Sequence, residues 1–246
     1  AAPLQPHFEC IGCSLIALGL RNTRNNELAN TGTLTLQGGT QTVSGTVGLT
    51  GRLATVNAGA NAATSNFSSN VFATQLNVTG TGTVQLNGNF TGNAISYTTV
   101  QADAVNGTVK LANGKTVTGA VANDTGTDSN GVFTFDQNGT VNGQMGSSAA
   151  SLKQINVGSD PVSGSVPTVS TVNGMVYATT LNFSGNGKAV LNGTNGGAAV
   201  GGLVGTVDFN GGTGELQIGE GVNLTTGVNG IQFADANAAS MVFNGN

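Results

Sequence analysis

The residues that could do chemistry near the start of the chain are His7, Cys10 and Cys13, in the pattern H-x-x-C-x-x-C. A Cys-x-x-Cys pair can bind zinc or exchange a disulfide. A zinc site needs a fourth ligand, which Glu9, Glu27 or a second chain would supply, and a redox motif normally accompanies a βαβ pattern that this sequence lacks. The pattern favours Cys10 and Cys13 as disulfide candidates, within the chain or between chains, in an oxidising compartment. Metal binding and redox catalysis are the alternatives, and we predict no metal site.

Acidic residues are the second group with potential chemistry, because glycoside hydrolysis needs two carboxyl groups that face one groove. Most of them are isolated in the sequence: Asp103, Asp136, Asp160, Asp208, Glu215, Glu220 and Asp235. An enzyme would need several of Asp103, Asp136, Asp208 and Glu215 in one groove, and a Ser-His-Asp triad would depend on His7. We therefore predict that the chain is not an enzyme, with no catalytic or cofactor-binding residue, no cofactor and no small-molecule substrate.

The segment 123–131, NDTGTDSNG, is rich in side-chain oxygens and resembles a calcium loop in composition. Hard cations need oxygen ligands at fixed positions of such a loop. If Asp124 is the first ligand, Gly126 takes the third position and Phe135 stands where a bidentate Glu belongs. The segment is therefore interpreted as a glycine-rich turn between strands.

Composition excludes several function classes. The chain has 246 residues, of which 7% are charged and 38% hydrophobic, with a net charge of −4. Only seven residues are Lys or Arg, so binding to nucleic acid or to an anionic membrane surface is not expected. No run of about 18 apolar residues is present, so no part of the chain is expected to span a bilayer as a helix.

A short unit recurs along the chain and indicates the fold. The unit is Thr or Asn, then Gly, then an alternating run that ends on an apolar residue: TGTLTL (31–36), TGTVQL (81–86), NGTVKL (106–111), NGVFTF (130–135), NGKAVL (186–191) and TGELQI (213–218). The starts are spaced by about one or two multiples of 25 residues, which is typical of solenoids. Alternation places apolar side chains on one face of each strand. We predict an all-β, repetitive β-solenoid (a parallel β-helix), with an antiparallel β-sandwich as the alternative.

A direct repeat supports the solenoid. Residues 71–96 and 176–201 share 12 identities in 26 positions at one constant offset, and the matched apolar pairs include Leu76 with Leu181 and Leu86 with Leu191. The offset is close to four periods of about 26 residues, so the prediction is a duplication of four coils.

Domain organisation follows from a change in composition. Residues 1–28 contain both Cys, the sole His and two of the three Arg, and are predicted to be an N-terminal cap or intersubunit arm; residues 29–246 are predicted to form the repetitive β domain. The last residues, SMVFNGN, form an apolar strand without a cap. Met241, Val242 and Phe243 are therefore assembly-edge candidates, through which copies of the chain would join by strand addition.

Several phrases resemble the passenger region of rickettsial-type autotransporter outer-membrane surface antigens: VNGMVYATTLNFSGNGKAVLNG, LKQINVGSD, TGELQIGEGVNLTTGVNGIQF and ADANAASMVFNGN. The resemblance covers about residues 30–246. It implies a non-enzymatic adhesin or surface coat, located outside the cell or at the bacterial surface, with a host-cell receptor or copies of itself as partners. It also implies contact with an outer membrane only through a separate anchor. The alternatives are a self-assembling subunit of an extracellular filament or layer, joined by strand addition and Cys crosslinks, and a polysaccharide-active β-helix.

Overall fold

The chain folds into short β-strands. A computed structural model describes residues 7–11, 14–15, 30–49, 51–99, 106–158, 166–195, 198–199, 203–210, 213–227, 229–232 and 239–244. Its strands are β1 (His7–Ile11), β2 (Ser14–Leu15), β3 (Thr33–Gln37), β4 (Thr40–Val43), β5 (Leu53–Ala58), β6 (Thr64–Phe67), β7 (Val71–Val78), β8 (Thr83–Leu86), β9 (Phe90–Tyr97), β10 (Thr108–Leu111), β11 (Lys115–Asn123), β12 (Val132–Phe135), β13 (Gly139–Asn142), β14 (Leu152–Val157), β15 (Val169–Val172), β16 (Val176–Phe183), β17 (Lys188–Leu191), β18 (Thr194–Asn195), β19 (Ala198–Ala199), β20 (Leu203–Asp208), β21 (Glu215–Ile218), β22 (Ile231–Gln232) and β23 (Ser240–Phe243).

The strands stack as a parallel β-solenoid. One sheet has the order β1-β3-β5-β7-β9-β11-β13-β15-β17-β21-β23, and the other has the order β2-β4-β6-β8-β10-β12-β14-β16-β20-β22. Neighbouring strands of both sheets pair in parallel, as between β8 and β10 or between β14 and β16. The predicted parallel β-helix is confirmed. The alternative antiparallel sandwich is wrong because the strands of both large sheets pair in parallel with their equivalents in the next coil, and only the short pair β18–β19 is antiparallel among the described strands.

The core includes three long columns of inward-facing side chains, one on each face of the coil, and further buried apolar residues pack beside them. Strands such as β8 and β10 alternate half-buried and buried residues, because successive side chains of a strand point to opposite faces. The first column is Leu34, Val56, Leu76, Ile95, Val121, Met145 and Val176. The second is Val43, Phe67, Leu86, Leu111, Phe135, Val157, Phe183 and Phe209. The third is Val47, Val71, Phe90, Val117, Val141, Val172, Leu191, Ile218 and Phe243.

The coils differ in length because loops of different size join the strands. The turn that leads from Val71 to Phe90 is much shorter than the turn that leads from Val141 to Val172, although each joins successive residues of the third column. The period predicted from the sequence is therefore an average over unequal coils. Some of the tight turns between strands have room for glycine alone. A Cβ on Gly187 would lie 1.7 Å from the carbonyl oxygen of Gly158 in the preceding coil.

The direct repeat does not correspond to a whole number of coils. Leu76 lies in the first column, and four turns from it lead to Val176 in that same column. Leu181, which matches Leu76 in sequence, lies further along β16 and pairs with Ile155 on the second face. Leu86 and Leu191 likewise lie in the second and third columns. The predicted duplication of four whole coils is therefore wrong: the offset of the repeat is four turns plus one face.

The division at residue 28 stays a prediction. Strand β1 pairs in parallel with β3, with His7 opposite Thr33 and Ile11 opposite Gln37, so this backbone continues the solenoid. The other residues of 1–28, apart from β2, lie outside the described residues.

Candidate interaction surface

Ladders of amide side chains run along the outside of the solenoid, and two of them lie on the first and second faces. On the first face, the Asn77 side-chain amide donates to Asn57 Oδ1 at 2.9 Å, and Asn57 donates to Thr35 Oγ1 at 3.2 Å. On the second face, Asn182 donates to Asn156 Oδ1 at 3.1 Å and Asn156 donates to Thr134 Oγ1 at 3.0 Å. These bonds run along the axis from coil to coil and hold the outer side chains in fixed positions.

The loop 124–130 projects from the corner between β11 and β12 and is held by its own side chains. The Asn123 amide, at the end of β11, donates to the carbonyl oxygen of Thr127 at 2.6 Å. Thr125 Oγ1 donates to Asn123 Oδ1 at 2.6 Å, and the Asn130 amide donates to Thr127 Oγ1 at 2.7 Å. Asn123 and Asn130 are both buried, so the loop has a defined conformation, in agreement with the predicted glycine-rich turn between strands.

A second loop, 146–151, lies beside the first in the next coil, and the two are bonded together. Asp128 Oδ1 accepts hydrogen bonds from the backbone N–H and the hydroxyl of Ser151, at 2.8 and 3.1 Å. The Ser129 N–H and the Asn123 amide both donate to the carbonyl oxygen of Ser151, and the Ser129 and Thr179 hydroxyls form a further bond. We call loops 124–130 and 146–151 together the corner surface.

The corner surface is the candidate functional site, because protruding loops on a rigid scaffold commonly carry binding residues. Its exposed residues are Asp124, Gly126, Thr127, Asp128, Ser148 and Ala149. They offer two carboxylates, two hydroxyls and backbone groups, which suit hydrogen bonding to a polar partner. Among the described residues, no group of three or more His, Cys, Asp or Glu is placed to hold a metal ion.

Asp136, Asp208 and Glu215 do not share a groove. Asp136 accepts a hydrogen bond from the Gln85 amide at 3.0 Å, whereas Asp208 pairs with Asn182 three coils further along the same face. Three coils correspond to roughly 14 Å, which exceeds the separation of about 6.5–9.5 Å that inverting glycosidases need. Glu215, on the third face, forms an ion pair of 2.7 Å with Lys188. Asp103, Asp160 and Asp235 lie outside the described residues.

The predicted disulfide candidates are described only in part. Cys10 lies in β1, opposite Leu36 of β3, and Cys13 lies outside the described residues. Disulfide formation by these two residues stays a prediction.

The predicted assembly edge is the last strand of its sheet. Met241, Val242 and Phe243 belong to β23, which pairs with β21 and is the end of the described strand order. Phe243 occupies an inward position in the third column but is 66% exposed, and Val242 is 38% exposed. An apolar side chain that would be buried inside another coil is thus exposed here.

Sequence reasoning missed most of the corner surface. Asn123, Ser151 and Thr179 are far apart in the sequence, and their contact depends on how the coils stack. The composition of NDTGTDSNG was the signal that could have indicated a structured loop, but nothing local indicated Ser151 or Thr179.

Burial strongly affects the titration of Tyr97. Tyr97 is an inward residue of β9, and its hydroxyl donates to the carbonyl oxygen of Val132 at 2.6 Å. Because burial disfavours the phenolate, the pKa of Tyr97 lies far above its usual value of 10.0. Tyr97 therefore stays neutral and acts as a core residue.

Comparison with known proteins gives one informative similarity. The chain is 32% identical over 161 residues to Outer membrane protein A of Rickettsia rickettsii, a match that covers 65% of this chain and 6% of that protein. The chain thus spans a small part of the length of this relative. No protein-family model matches the chain, and no solved structure matches it. The described residues include no helix of the length and apolarity needed to cross a membrane.

Proposed function

We propose that this chain is part of the passenger region of a bacterial surface antigen of the autotransporter type, and that it acts without catalysis as an adhesin or surface coat. The observation that carries the proposal is the match to Outer membrane protein A of Rickettsia rickettsii in a chain that folds as a parallel β-solenoid. The dispersal of Asp136, Asp208 and Glu215 supports the non-enzymatic part. Similarity to an outer membrane protein supports the cell surface or outer membrane as the location.

Surface display is tested by labelling intact cells that produce the protein with an antibody raised against this chain. We expect labelling without permeabilisation and its loss after brief treatment of the cells with an added protease. Labelling that appears only after permeabilisation would contradict surface display.

Adhesion is tested with beads coated with the purified chain and applied to cultured host cells. We expect binding through the corner surface. The double variant Ser148→Arg/Ala149→Arg places two cations on exposed positions of loop 146–151, and should weaken bead binding about tenfold, because an unpaired charge in an interface costs about 1.4 kcal/mol or more.

A matched control keeps the net charge equal. Thr40→Arg/Thr118→Arg adds two cations at exposed positions in strands β4 and β11. Beads coated with this variant should bind host cells as well as beads coated with the unmodified chain. If both double variants lose bead binding to the same extent, the corner surface is not the adhesive surface. If beads coated with the unmodified chain do not bind host cells, adhesion is excluded and the surface-coat function is the one supported.

A second candidate function is a filament or layer subunit, in which copies of the chain would join by strand addition at β23. The N–H groups of Ser240 and Asn244 donate to Gly214 and Ile218 of the preceding coil at 3.0 and 2.8 Å, so by alternation the N–H of Phe243 points to the unpaired edge. Phe243→Pro should block strand addition there and keep the pairing with β21.

Mass and shape in solution distinguish the candidates. Linear assemblies that Phe243→Pro abolishes would establish the filament. Multimers that shorten on reduction would add crosslinks through Cys10 or Cys13. A monomer unaffected by reductant supports the passenger.

A further inference from the structure

We propose that residues 30–88 and 129–193 are two copies of one structural module, and that the solenoid turns the second copy by one face relative to the first. The same outer surface is then presented in two directions, four turns apart along the axis. The inference concerns the architecture of the chain and does not depend on the proposed function.

The first coil of each module begins with the same unusual backbone. Asn30 and Ser129 are non-glycine residues with positive φ values of 67° and 62°, a conformation that is rare outside glycine. Two residues later, Gly32 and Gly131 have φ values of 87° and 84°. The N–H groups of Asn30 and Ser129 also bond equivalent carbonyl groups, those of Arg52 and Ser151, at 3.0 and 3.2 Å.

A crossover loop follows at the equivalent corner of each module. Gly48 and Gly146 both have positive φ, 70° and 67°. In each case a Cβ would lie 2.2 Å from a carbonyl oxygen of the next coil, that of Phe72 or of Tyr177. These two aromatic residues are themselves matched in the direct repeat.

In each module, a hydrogen bond between two side chains spans two coils. Thr74 Oγ1 donates to Asn30 Oδ1 at 2.9 Å. The equivalent residues in the second module, Thr179 and Ser129, are also hydrogen-bonded through their hydroxyls.

A buried serine satisfies an equivalent backbone donor in each module. Ser65 Oγ accepts from the Gly59 N–H at 3.1 Å, and Ser170 Oγ accepts from the Gly158 N–H at 3.3 Å. The segment between this donor and this acceptor is longer in the second module than in the first, so the second module contains an insertion between Gly158 and Ser170.

The amide ladders of the two modules agree as well. Thr35, Asn57 and Asn77 of the first module correspond to Thr134, Asn156 and Asn182 of the second. In both ladders the last asparagine donates to the middle one, which donates to the threonine.

The equivalent features lie on different faces. The ladder of the first module is on the face of Leu76, and that of the second is on the face of Leu181, one face further round. Because each module forms the same coils on either face, the faces are interchangeable. Four coils correspond to about 19 Å along the axis.

Excision of one repeat length tests this equivalence. Deletion of residues 72–176 joins Val71 to Tyr177, so that Leu181 takes the place of Leu76 in the first column and Asn182 stacks on Asn57. We expect a folded β-solenoid with one cooperative unfolding transition, shorter by four turns and one face, or roughly 21 Å, in small-angle scattering.

The rotation is read from engineered crosslinks in a background with Cys10→Ser and Cys13→Ser. In the deletion variant, Asn57→Cys/Asn182→Cys should form a disulfide under mild oxidation, because adjacent strands bring the two Cα atoms within about 5 Å. The same pair should stay reduced in the full chain, where Asn182 stacks on Asn156. Asn156→Cys/Asn182→Cys in the full chain is the positive control.

Three results would overturn the proposal. Crosslinking of Asn66→Cys/Asn182→Cys in the deletion variant would mean that segment 177–246 kept its face. Failure of the deletion variant to fold would mean that coils of the second module cannot stack in the positions of the equivalent coils of the first. Equal folding of a variant that lacks residues 72–175 would also contradict it, because this one-residue slip turns the following strand inside out.

Discussion

The contribution of the second-face amide ladder to stability can be tested at Asn156. It donates to Thr134, and it accepts hydrogen bonds from Asn182 and Gln154. Asn156→Ala removes these bonds and should lower the free energy of unfolding by about 1–3 kcal/mol, since the partners lose half-buried bonds. Urea titration measures the change.

The control for the ladder is Asn113→Ala. Asn113 is exposed and accepts one side-chain hydrogen bond, from Asn138 at 3.0 Å. The substitution should therefore change the free energy of unfolding by no more than about 0.5 kcal/mol. Equal effects of the two substitutions would show that the ladder does not contribute to stability.

Gly187 is a residue at which space alone requires glycine. Its added Cβ would lie 1.7 Å from the carbonyl oxygen of Gly158, a backbone atom that cannot move without disturbing the stacked coils. We expect Gly187→Ala to destabilise the chain by about 2–4 kcal/mol. Gly51→Ala should be close to neutral, because a Cβ there meets nothing within 4 Å; thermal unfolding of both variants decides the point.

Tyr97 makes stability depend on pH at the alkaline end. Burial raises its pKa in the folded state above the usual value of 10.0, so the folded state binds the proton more tightly than the unfolded state. The stabilisation is complete below pH about 10 and is lost as the pH rises above it. The free energy of unfolding should therefore fall between pH 9 and 11.

Tyr97→Phe supplies the control. It loses the bond to Val132 and about 1 kcal/mol at neutral pH, but its stability should fall less between pH 9 and 11. An equally steep decline in the variant would assign the alkaline dependence to other groups.

At the scale of the element, the alternation of apolar and polar residues predicted most of the strands correctly. All six predicted units contain a strand of the solenoid: β3, β8, β10, β12, β17 and β21. Most of their apolar residues face inward, as Val84 and Leu86 do, whereas Val132 and Val190 occupy half-buried outward positions. The sequence did not reveal which strand would stack on which, because coil length varies with the loops between them.

Equivalent elements of the two modules should also be equivalent in energy. Ser65 and Ser170 each accept a bond from a backbone N–H in the interior of the solenoid. Ser65→Ala and Ser170→Ala should each cost about 1–3 kcal/mol, because the glycine N–H is left without this acceptor. Urea unfolding should give two values that agree within the error of the measurement, and a large difference would count against equivalence.

At the scale of the whole molecule, stability rests on apolar burial and backbone bonds. Only 7% of the sequence is charged, and Lys188 and Glu215, an ion pair within the described residues, are partly exposed. Such pairs contribute about 0–1 kcal/mol. The free energy of unfolding should therefore change by less than about 1 kcal/mol between low salt and about 1 M NaCl; a larger fall would reveal a charge network.

The sequence by itself determined the strand pattern, the glycine corners and the solenoid class, because alternation and turn chemistry are local properties that each coil repeats. Only the tertiary structure decided the face on which each strand lies, since that depends on the summed lengths of all preceding loops. For the same reason it alone brought Asp128, Ser151 and Thr179 together at the corner surface, and it alone showed that the direct repeat turns the second module by one face.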